Sequence, residues 1–173
     1  QVVCERDPDS PAILARNVWA NEFAEKIAFA ACGSPTQSVT ADRTEFLGRH
    51  GSVSIPAALR RFRLSGRVGP ALDPCAALTT EITLAPGETK EVIFVIGQAD
   101  RLERIRELVR AYTDPTRANA ARANVGQHWE RIFGAIQVST PDAGLNLMLN
   151  RWLLYQVLAC RLWARSAFYQ SGG

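Results

Sequence analysis

The sequence has few of the residues that metal sites, disulfide frameworks and common catalytic motifs require. Its four cysteines stand at positions 4, 32, 75 and 160, with no short pair such as C-x-x-C. This spacing argues against a zinc site and gives no disulfide pattern. The only histidines are His50 and His128, and no P-loop, G-x-S-x-G, G-x-G-x-x-G or H-E-x-x-H motif occurs. We therefore predict no metal ion, no cofactor and no histidine-based catalytic site in this chain. Asp73 and Asp142 could serve as general acids, but each lies beside a proline in a turn or cap context, which favours capping.

Long apolar runs and an excess of one charge are also missing. The longest strongly apolar stretch covers residues 152–160 and has an arginine on each side, so it is far too short to span a bilayer. The net charge is only +3, with 17 acidic residues interspersed among 20 basic ones. We predict no direct membrane span and no nucleic-acid partner.

The residues that are present describe an ordinary folded chain. Of the 173 residues, 47% are hydrophobic and 21% are charged, which excludes collagen-like chains and extensive disorder. This length can bury a core and allows one domain or a domain with attached pieces. Because the sequence starts at Gln1 and stops just after a strongly apolar helical pattern, we expect a piece of a larger protein.

Turn-forming residues are dense in residues 1–97, which predicts β structure there. The clearest predicted strands are Thr80–Ala85 and Glu91–Gly97, joined as a hairpin by Pro86–Thr89. The segment Pro11–Ala31 fits either a helix or two short strands, and its periodicity leaves both open.

The hydrophobic period changes after residue 97 and predicts helices. A short amphipathic helix is expected from about Leu102 to Tyr112, with Asp100 and Glu103 as a capping box. A second helix is expected to start at Asp114-Pro115 and to end near residue 134.

The longest helical pattern starts at Thr140-Pro141-Asp142 and continues to about Tyr169. Its wide apolar stripe and a length of roughly 40 Å suit a large helical assembly rather than one small domain. Arginines on or beside it are expected to pair with a buried carboxylate or to stack on Trp152, Tyr155 or Trp163. We assign a structural role to Trp152, Arg161 and Arg165.

Two further groups of residues are candidates for binding or for structure. The segment Asp42–Arg49 combines two carboxylates and two guanidinium groups, which could bind sugar hydroxyls or anchor a loop. We favour a solvated ion-pair cluster and a structural role for Asp42, Arg43 and Glu45. The glycine pair after the long helix lets backbone approach a ligand, although a simple helix cap fits equally well. The candidate sugar-binding residues there are Tyr169, Gln170, Gly172 and Gly173.

The sequence of residues 150–156, continued by 160–166 and 168–173, strongly resembles the phosphorylase-type region of glycoside hydrolase family 94, formerly glycosyltransferase family 36. This family contains the cellobiose and chitobiose phosphorylases and the cyclic β-1,2-glucan synthases, and the likeness is strongest to the last group. Residues 39–49, 69–78, 86–88 and 97–99 agree with the family in the same order.

The resemblance implies an α+β fold: the C-terminal part of a β-sandwich (supersandwich), then linker helices, then the first helix of an (α/α)6 barrel. We place these parts at residues 1–97, 98–138 and 139–173, with the barrel truncated. The resemblance also favours strands over a helix for Pro11–Ala31.

The resemblance further implies a parent enzyme that acts on β-1,2-glucan. In the family, an aspartic acid protonates the glycosidic oxygen while inorganic phosphate, the co-substrate, attacks the anomeric carbon. No catalytic residue of the family maps onto these residues, so we expect this chain alone to be inactive and to serve as scaffold and carbohydrate-binding piece. A non-catalytic carbohydrate-binding or interaction module is the alternative.

The resemblance also implies a place and partners. The parent is expected at the cytoplasmic side of the bacterial inner membrane, within a larger membrane protein whose transferase part uses UDP-glucose. Expected partners of this soluble segment are β-1,2-glucan or its oligosaccharides, the remaining domains of the parent, and a second copy through the apolar stripe of the long helix.

Overall fold

The computed structural model describes residues 2–163, and their side chains except at positions 36, 37 and 161–163. The chain divides into two compact units, Gln1–Asn119 and Ala120–Gly173.

The first unit is built on two antiparallel sheets. The larger sheet has the strand order β1-β2-β3-β6, and the smaller one pairs β4 with β5. The strands are β1 (Val3–Arg6), β2 (Ile13–Arg16), β3 (Ile27–Cys32), β4 (Thr36–Asp42), β5 (Pro74–Thr80) and β6 (Phe94–Ala99).

Helices lie between and after these strands. They are α1 (Arg43–Leu47), a 3₁₀ turn (Ala57–Arg60), α2 (Leu102–Tyr112), α3 (Pro115–Phe133), α4 (Ala143–Leu147), a π-helical turn (Met148–Trp152), α5 (Leu153–Gln156) and a second π-helical segment (Val157–Trp163). The last four follow one another without a break and keep right-handed helical backbone angles at their junctions, so together they form one long helix. Neither π-helical segment was expected from the sequence.

The core of the first unit lies between the larger sheet and α2. Leu14 of β2 and Phe29 of β3 face Ile105 and Val109 of α2, and all four side chains are buried. The spacing of four between Ile105 and Val109 places both on one face of the helix. The sheet therefore receives its cover from a helix that is about seventy residues further along the chain than β3.

An ion pair between the partly buried Arg106 and the buried Asp7 joins α2 to the loop after β1. The guanidinium group of Arg106 donates to both carboxylate oxygens of Asp7, with Nη2 2.6 Å from Oδ1 and Nε 3.0 Å from Oδ2. The Ser10 hydroxyl also donates to Asp7 Oδ2, at 2.6 Å. The hydrogen bond from Arg106 is the main cause that holds the pKa of Asp7 below its ordinary value, against the effect of burial.

The strand predictions were right in one segment and wrong in another. Strands β2 and β3 confirm the expectation from the resemblance for Pro11–Ala31. The predicted hairpin of Thr80–Ala85 with Glu91–Gly97 is wrong, because β5 ends at Thr80 and no strand is present over residues 81–93. The turn itself forms, with the Glu88 amide donating to the Ala85 carbonyl at 2.9 Å. The strands on either side of it pair elsewhere, β5 with β4 and β6 with β3.

The helix predictions were closer. Helix α2 has the expected bounds, but its predicted capping box is wrong: the cap residue is Arg101, without a side-chain cap, and Asp100 instead pairs with Lys26 at 2.6 Å. Asp114 does start α3, since its Oδ1 accepts from the amide of Arg117 at 2.9 Å.

Asp142 starts the long helix as predicted. Its Oδ1 accepts from the amides of Gly144 and Leu145, at 2.7 and 3.1 Å. The part of this helix that was predicted beyond residue 163 lies outside the described residues.

We expect Asp7→Asn to lower the free energy of unfolding by about 2–3 kcal/mol, because it leaves the guanidinium group of Arg106 without its bidentate partner. Asp9→Asn is the matched control: Asp9 also lies 2.7 Å from Arg106, but its side chain is exposed, so its loss should cost less than about 1 kcal/mol. Urea unfolding of the two variants measures the difference. Equal losses would show that burial of the Asp7 pair has no special weight.

Candidate functional site

The carboxylate of Asp42 links the start of α1 to a distant loop. Its Oδ1 accepts from the amide of Thr44 at 2.9 Å and so caps α1, while its Oδ2 lies 2.7 Å from Arg67 Nη1. The Asp42 side chain is buried, whereas that of Arg67 is largely exposed. Asp42, the last residue of β4, therefore both caps α1 and pairs with Arg67.

Glu45 makes the same link one helical turn later. Its carboxylate accepts from the Ser65 amide at 2.7 Å and from the Thr40 hydroxyl at 2.6 Å, and it lies 3.8 Å from Arg61. Burial alone would raise the pKa of Glu45, but the hydrogen bonds from Ser65 and Thr40 outweigh it and lower this pKa below its ordinary value.

Arg43 lies at the exposed side of this cluster. Its guanidinium group donates to the Pro74 carbonyl at 3.3 Å and lies 3.7 Å from the Asp73 carboxylate. The sequence suggested a solvated cluster, but the carboxylates of Asp42 and Glu45 are buried and all their oxygens accept from protein donors. This arrangement favours anchoring of a loop over binding of sugar hydroxyls, which leaves the structural role of Asp42, Arg43 and Glu45 as the prediction to test.

The second unit contains an aromatic cluster. The Trp129 ring stacks on Phe133 with centroids 5.1 Å apart and lies 5.3 Å from the ring of Tyr155. Arg151 makes a bidentate pair with Glu130, at 2.9 and 3.0 Å, and its guanidinium carbon lies 5.8 Å from the Phe133 ring centroid. The expectation of a buried carboxylate partner is therefore wrong for this arginine, because Glu130 is exposed. The ring that its guanidinium group lies over is that of Phe133, which the sequence did not predict.

An open apolar groove of about 370 Å³ lies beside these rings. Its lining residues are Phe133, Leu147, Met148, Arg151, Trp152 and Tyr155. Trp152 is 53% exposed, so it borders the groove rather than filling a core in this unit. A groove with apolar walls and a single charged group is a surface for apolar contact.

The remaining candidate residues lie at or beyond the end of the described chain. The backbone of Arg161 belongs to the second π-helical segment. Arg165 and the proposed sugar contacts Tyr169, Gln170, Gly172 and Gly173 lie outside the described residues. Their roles stay predictions.

No group of three or more histidine, cysteine, aspartate or glutamate side chains within residues 2–163 could hold a metal ion. Among the helices of the same residues, none combines the length and the apolar character that crossing a membrane requires. The thiols of Cys4 and Cys75 are free, and burial raises the pKa of each, so they are poor nucleophiles.

Two family models match the chain one after the other. Residues 1–115 match the glycosyl hydrolase 94 supersandwich domain, and residues 128–173 match the catalytic domain of the glycosyl hydrolase 94 superfamily. The chain belongs to glycosyl hydrolase family 94. The predicted fold class is thereby confirmed, with a supersandwich followed by helices of the catalytic domain. The finer limits at residues 97 and 138 stay predictions.

Relatives within family 94 are similar along most of the chain. The cyclic beta-(1,2)-glucan synthase NdvB of Rhizobium meliloti (strain 1021) is 38% identical over 99% of this chain, which spans 6% of the synthase. The N,N'-diacetylchitobiose phosphorylase of Vibrio proteolyticus is 30% identical over 94% of the chain and 20% of the phosphorylase. The 3-O-beta-D-glucopyranosyl-beta-D-glucuronide phosphorylase of Paenibacillus borealis is 34% identical over 72% of the chain and 16% of the phosphorylase.

The partners of the buried carboxylates were missed by the sequence analysis. Asp7 and Arg106 are 99 positions apart, and Arg67 is 25 positions from Asp42. No local pattern marks such pairs, because each forms only once the sheets have brought its two segments together. The absence of any Asp or Glu from residues 46–72 was the available signal that the arginines there need carboxylates from elsewhere.

The lowered pKa values predict loss of stability in acid. The carboxylates of Asp7 and Glu45 contribute stability that is present above the pKa of the unfolded carboxyls, about 4, and is lost as the pH falls through the lower folded pKa. We expect the free energy of unfolding to fall steadily below about pH 4, and to fall less steeply in the double variant Asp7→Asn/Glu45→Gln. Urea unfolding between pH 7 and acid, for both proteins, measures the two slopes. Parallel slopes would contradict the assignment.

Proposed function

We propose that this chain is the scaffold segment of a carbohydrate-active enzyme that acts on β-1,2-linked glucan. The observation that carries the proposal is the 38% identity with a cyclic beta-(1,2)-glucan synthase along 99% of the chain, above the 30% identity with N,N'-diacetylchitobiose phosphorylase over a similar span. The parent enzyme would either phosphorolyse the glucan with inversion or take part in its cyclic synthesis.

Phosphorolysis requires a phosphate nucleophile and a carboxylic acid, and we expect other parts of the parent to supply that acid and to bind the phosphate. Phosphate oxygen forms a bond to the anomeric carbon while the bond from that carbon to the glycosidic oxygen breaks, and a carboxylic acid gives its proton to the leaving oxygen. Such an acid needs a raised pKa. The buried carboxyls of Asp7 and Glu45 have lowered pKa values and guanidinium partners, which supports an anchoring role for them rather than catalysis.

The chain would contribute position rather than reacting groups. The supersandwich unit supplies a helix-covered sheet, and Asp142 fixes the first turn of the long helix in the residues that match the catalytic domain. We propose that Tyr169, Gln170, Gly172 and Gly173 border the sugar site at the end of that helix. Further domains of the parent, including a UDP-glucose-dependent transferase part at the cytoplasmic side of the inner membrane, would be its partners.

The proposal predicts a split between this chain and its parent. The chain alone should release no glucose 1-phosphate from linear β-1,2-gluco-oligosaccharides and phosphate, because we expect the general acid to lie in another part of the parent. The parent, expressed from the complete gene, should release it from these oligosaccharides but not from cellobiose or N,N'-diacetylchitobiose. Enzyme-coupled detection of glucose 1-phosphate is the measurement. Release by the parent from cellobiose alone would overturn the β-1,2 assignment.

Calorimetry separates the scaffold from the alternative of a carbohydrate-binding module. A scaffold segment should show no saturable heat when β-1,2-gluco-oligosaccharides are titrated into this chain. Saturable binding by the chain alone, with cello-oligosaccharides silent, would favour the module.

We expect the chain to self-associate through the apolar groove of the long helix, since Leu147, Met148 and Trp152 are exposed there. Trp152→Ser should shift the chain toward the monomer in size-exclusion chromatography with light scattering. Trp19→Ser, which changes an exposed tryptophan of the other unit, is the matched control and should leave the mass distribution unchanged. A wild-type chain that elutes as a monomer would contradict the expectation.

A further inference from the structure

One surface loop of the first unit combines arginines with exposed apolar side chains. Residues 46–72 contain five arginines and no aspartate or glutamate. We call residues 49–63, which contain the 3₁₀ turn, the arginine–apolar loop. The overall charge of +3 conceals this local excess, because the acidic residues lie in other parts of the sequence.

Four large apolar side chains of this loop are mostly exposed to solvent. Val53, Ile55, Leu59 and Phe62 are between 65% and 82% exposed. Scattered single exposed hydrophobic residues are normal, but four within ten positions are a local concentration that favours an interaction.

Three arginines of the same loop are free to bind an anion. Within residues 2–163, the pair of Arg61 with Glu45 is the only ion pair that a loop residue forms. Arg49, Arg60 and Arg63 therefore keep their charges uncompensated. The guanidinium carbon of Arg63 lies 5.6 Å from the ring centroid of Phe62, so a cation and an apolar ring are presented side by side.

The loop is held in shape by its own hydrogen bonds and by the buried cluster below it. The amide of Ile55 donates to Ser52 and that of Leu59 donates to Pro56, at 3.2 and 3.1 Å. Gly48 turns the chain into the loop at a φ of 86°, where a Cβ would also lie only 3.0 Å from Ala57 Cβ. An ordered loop loses little conformational entropy when it binds.

We propose that the arginine–apolar loop docks on the surface of an anionic phospholipid bilayer. Arginine binds phosphate through two parallel hydrogen bonds, and apolar side chains that project from a fold can enter the headgroup region. Charge complementarity decides the occupant: a second copy of the loop would bring arginines against arginines, whereas an anionic leaflet attracts them. The four apolar side chains suit insertion between lipids, because each is between 65% and 82% exposed.

The test uses the whole chain and vesicles of defined composition. Sedimentation should show association with vesicles of phosphatidylcholine that contain about one third phosphatidylglycerol, weakening with salt, and little association with phosphatidylcholine alone. Arg60→Gln/Arg63→Gln should lower the partition coefficient about 25-fold, at about fivefold for each charge. Phe62→Ser should lower it about tenfold by removing the inserted ring.

Arg101→Gln/Arg104→Gln is the matched control. It removes two exposed arginines from the same unit, at the start of α2, and should leave vesicle association nearly unchanged. Circular dichroism and thermal unfolding of each variant confirm that the fold is retained, as expected for changes at exposed side chains.

Three outcomes would overturn the proposal. The first is a wild-type chain that does not sediment with anionic vesicles. The second is association that persists in Arg60→Gln/Arg63→Gln and Phe62→Ser, which would place the contact on another face such as the apolar groove of the long helix. The third is binding to polyglutamate but not to anionic vesicles, which would assign the loop to an acidic protein surface.

Discussion

The packing of α2 on the larger sheet is the interaction on which the first unit depends. The sheet presents Leu14 and Phe29 on one face, and without a cover that apolar face would lie in water. Ile105 and Val109 supply the cover, and Arg106 between them lies next to Asp7 at the end of β1. Apolar burial supplies the larger share of the free energy, while the bidentate pair fixes where along the sheet the helix lies.

The pairing of a buried carboxylate with an arginine recurs at the end of β4 and in α1. Asp42 and Glu45 are buried carboxylates that reach arginines of the segment after α1, as Asp7 reaches Arg106. A guanidinium group suits this task better than an ammonium group, because its planar fork matches the two oxygens of a carboxylate. With only two lysines among 20 basic residues, the sequence is rich in the side chain that such anchors need.

These anchors bear on the division of roles within family 94. A carboxyl group that anchors a fold is stabilised in its charged form, and its pKa falls. A general acid must keep its proton until the leaving oxygen takes it, so its pKa must rise. Asp7 and Glu45 are on the anchoring side of that division. Their burial would look like a catalytic feature if the arginine, serine and threonine donors around them were ignored.

The sequence predicted what depends on local patterns and missed what depends on distant partners. The bounds of α2, the start of α3 and the Asp142 cap follow from short-range signals and were right. The hairpin around residues 86–89 was wrong although its turn forms, because the pairing of a strand is decided by which neighbour buries its apolar face. The prediction that Asp100 caps α2 was wrong for a related reason, since its partner Lys26 comes within reach only after folding.

The charge distribution around the candidate site also could not be predicted from local sequence patterns. The numbers of acidic and basic residues are nearly equal over the whole chain, but they are not equal in each segment of it. Folding moves the carboxylates of Asp42 and Glu45 inward beneath the segment that has no acid of its own, where they compensate Arg61 and Arg67 from below. The outward arginines gain no such compensation from them. The buried cluster thus orders the arginine–apolar loop and at the same time leaves its outer surface positive, which is the combination that an anionic surface would recognise.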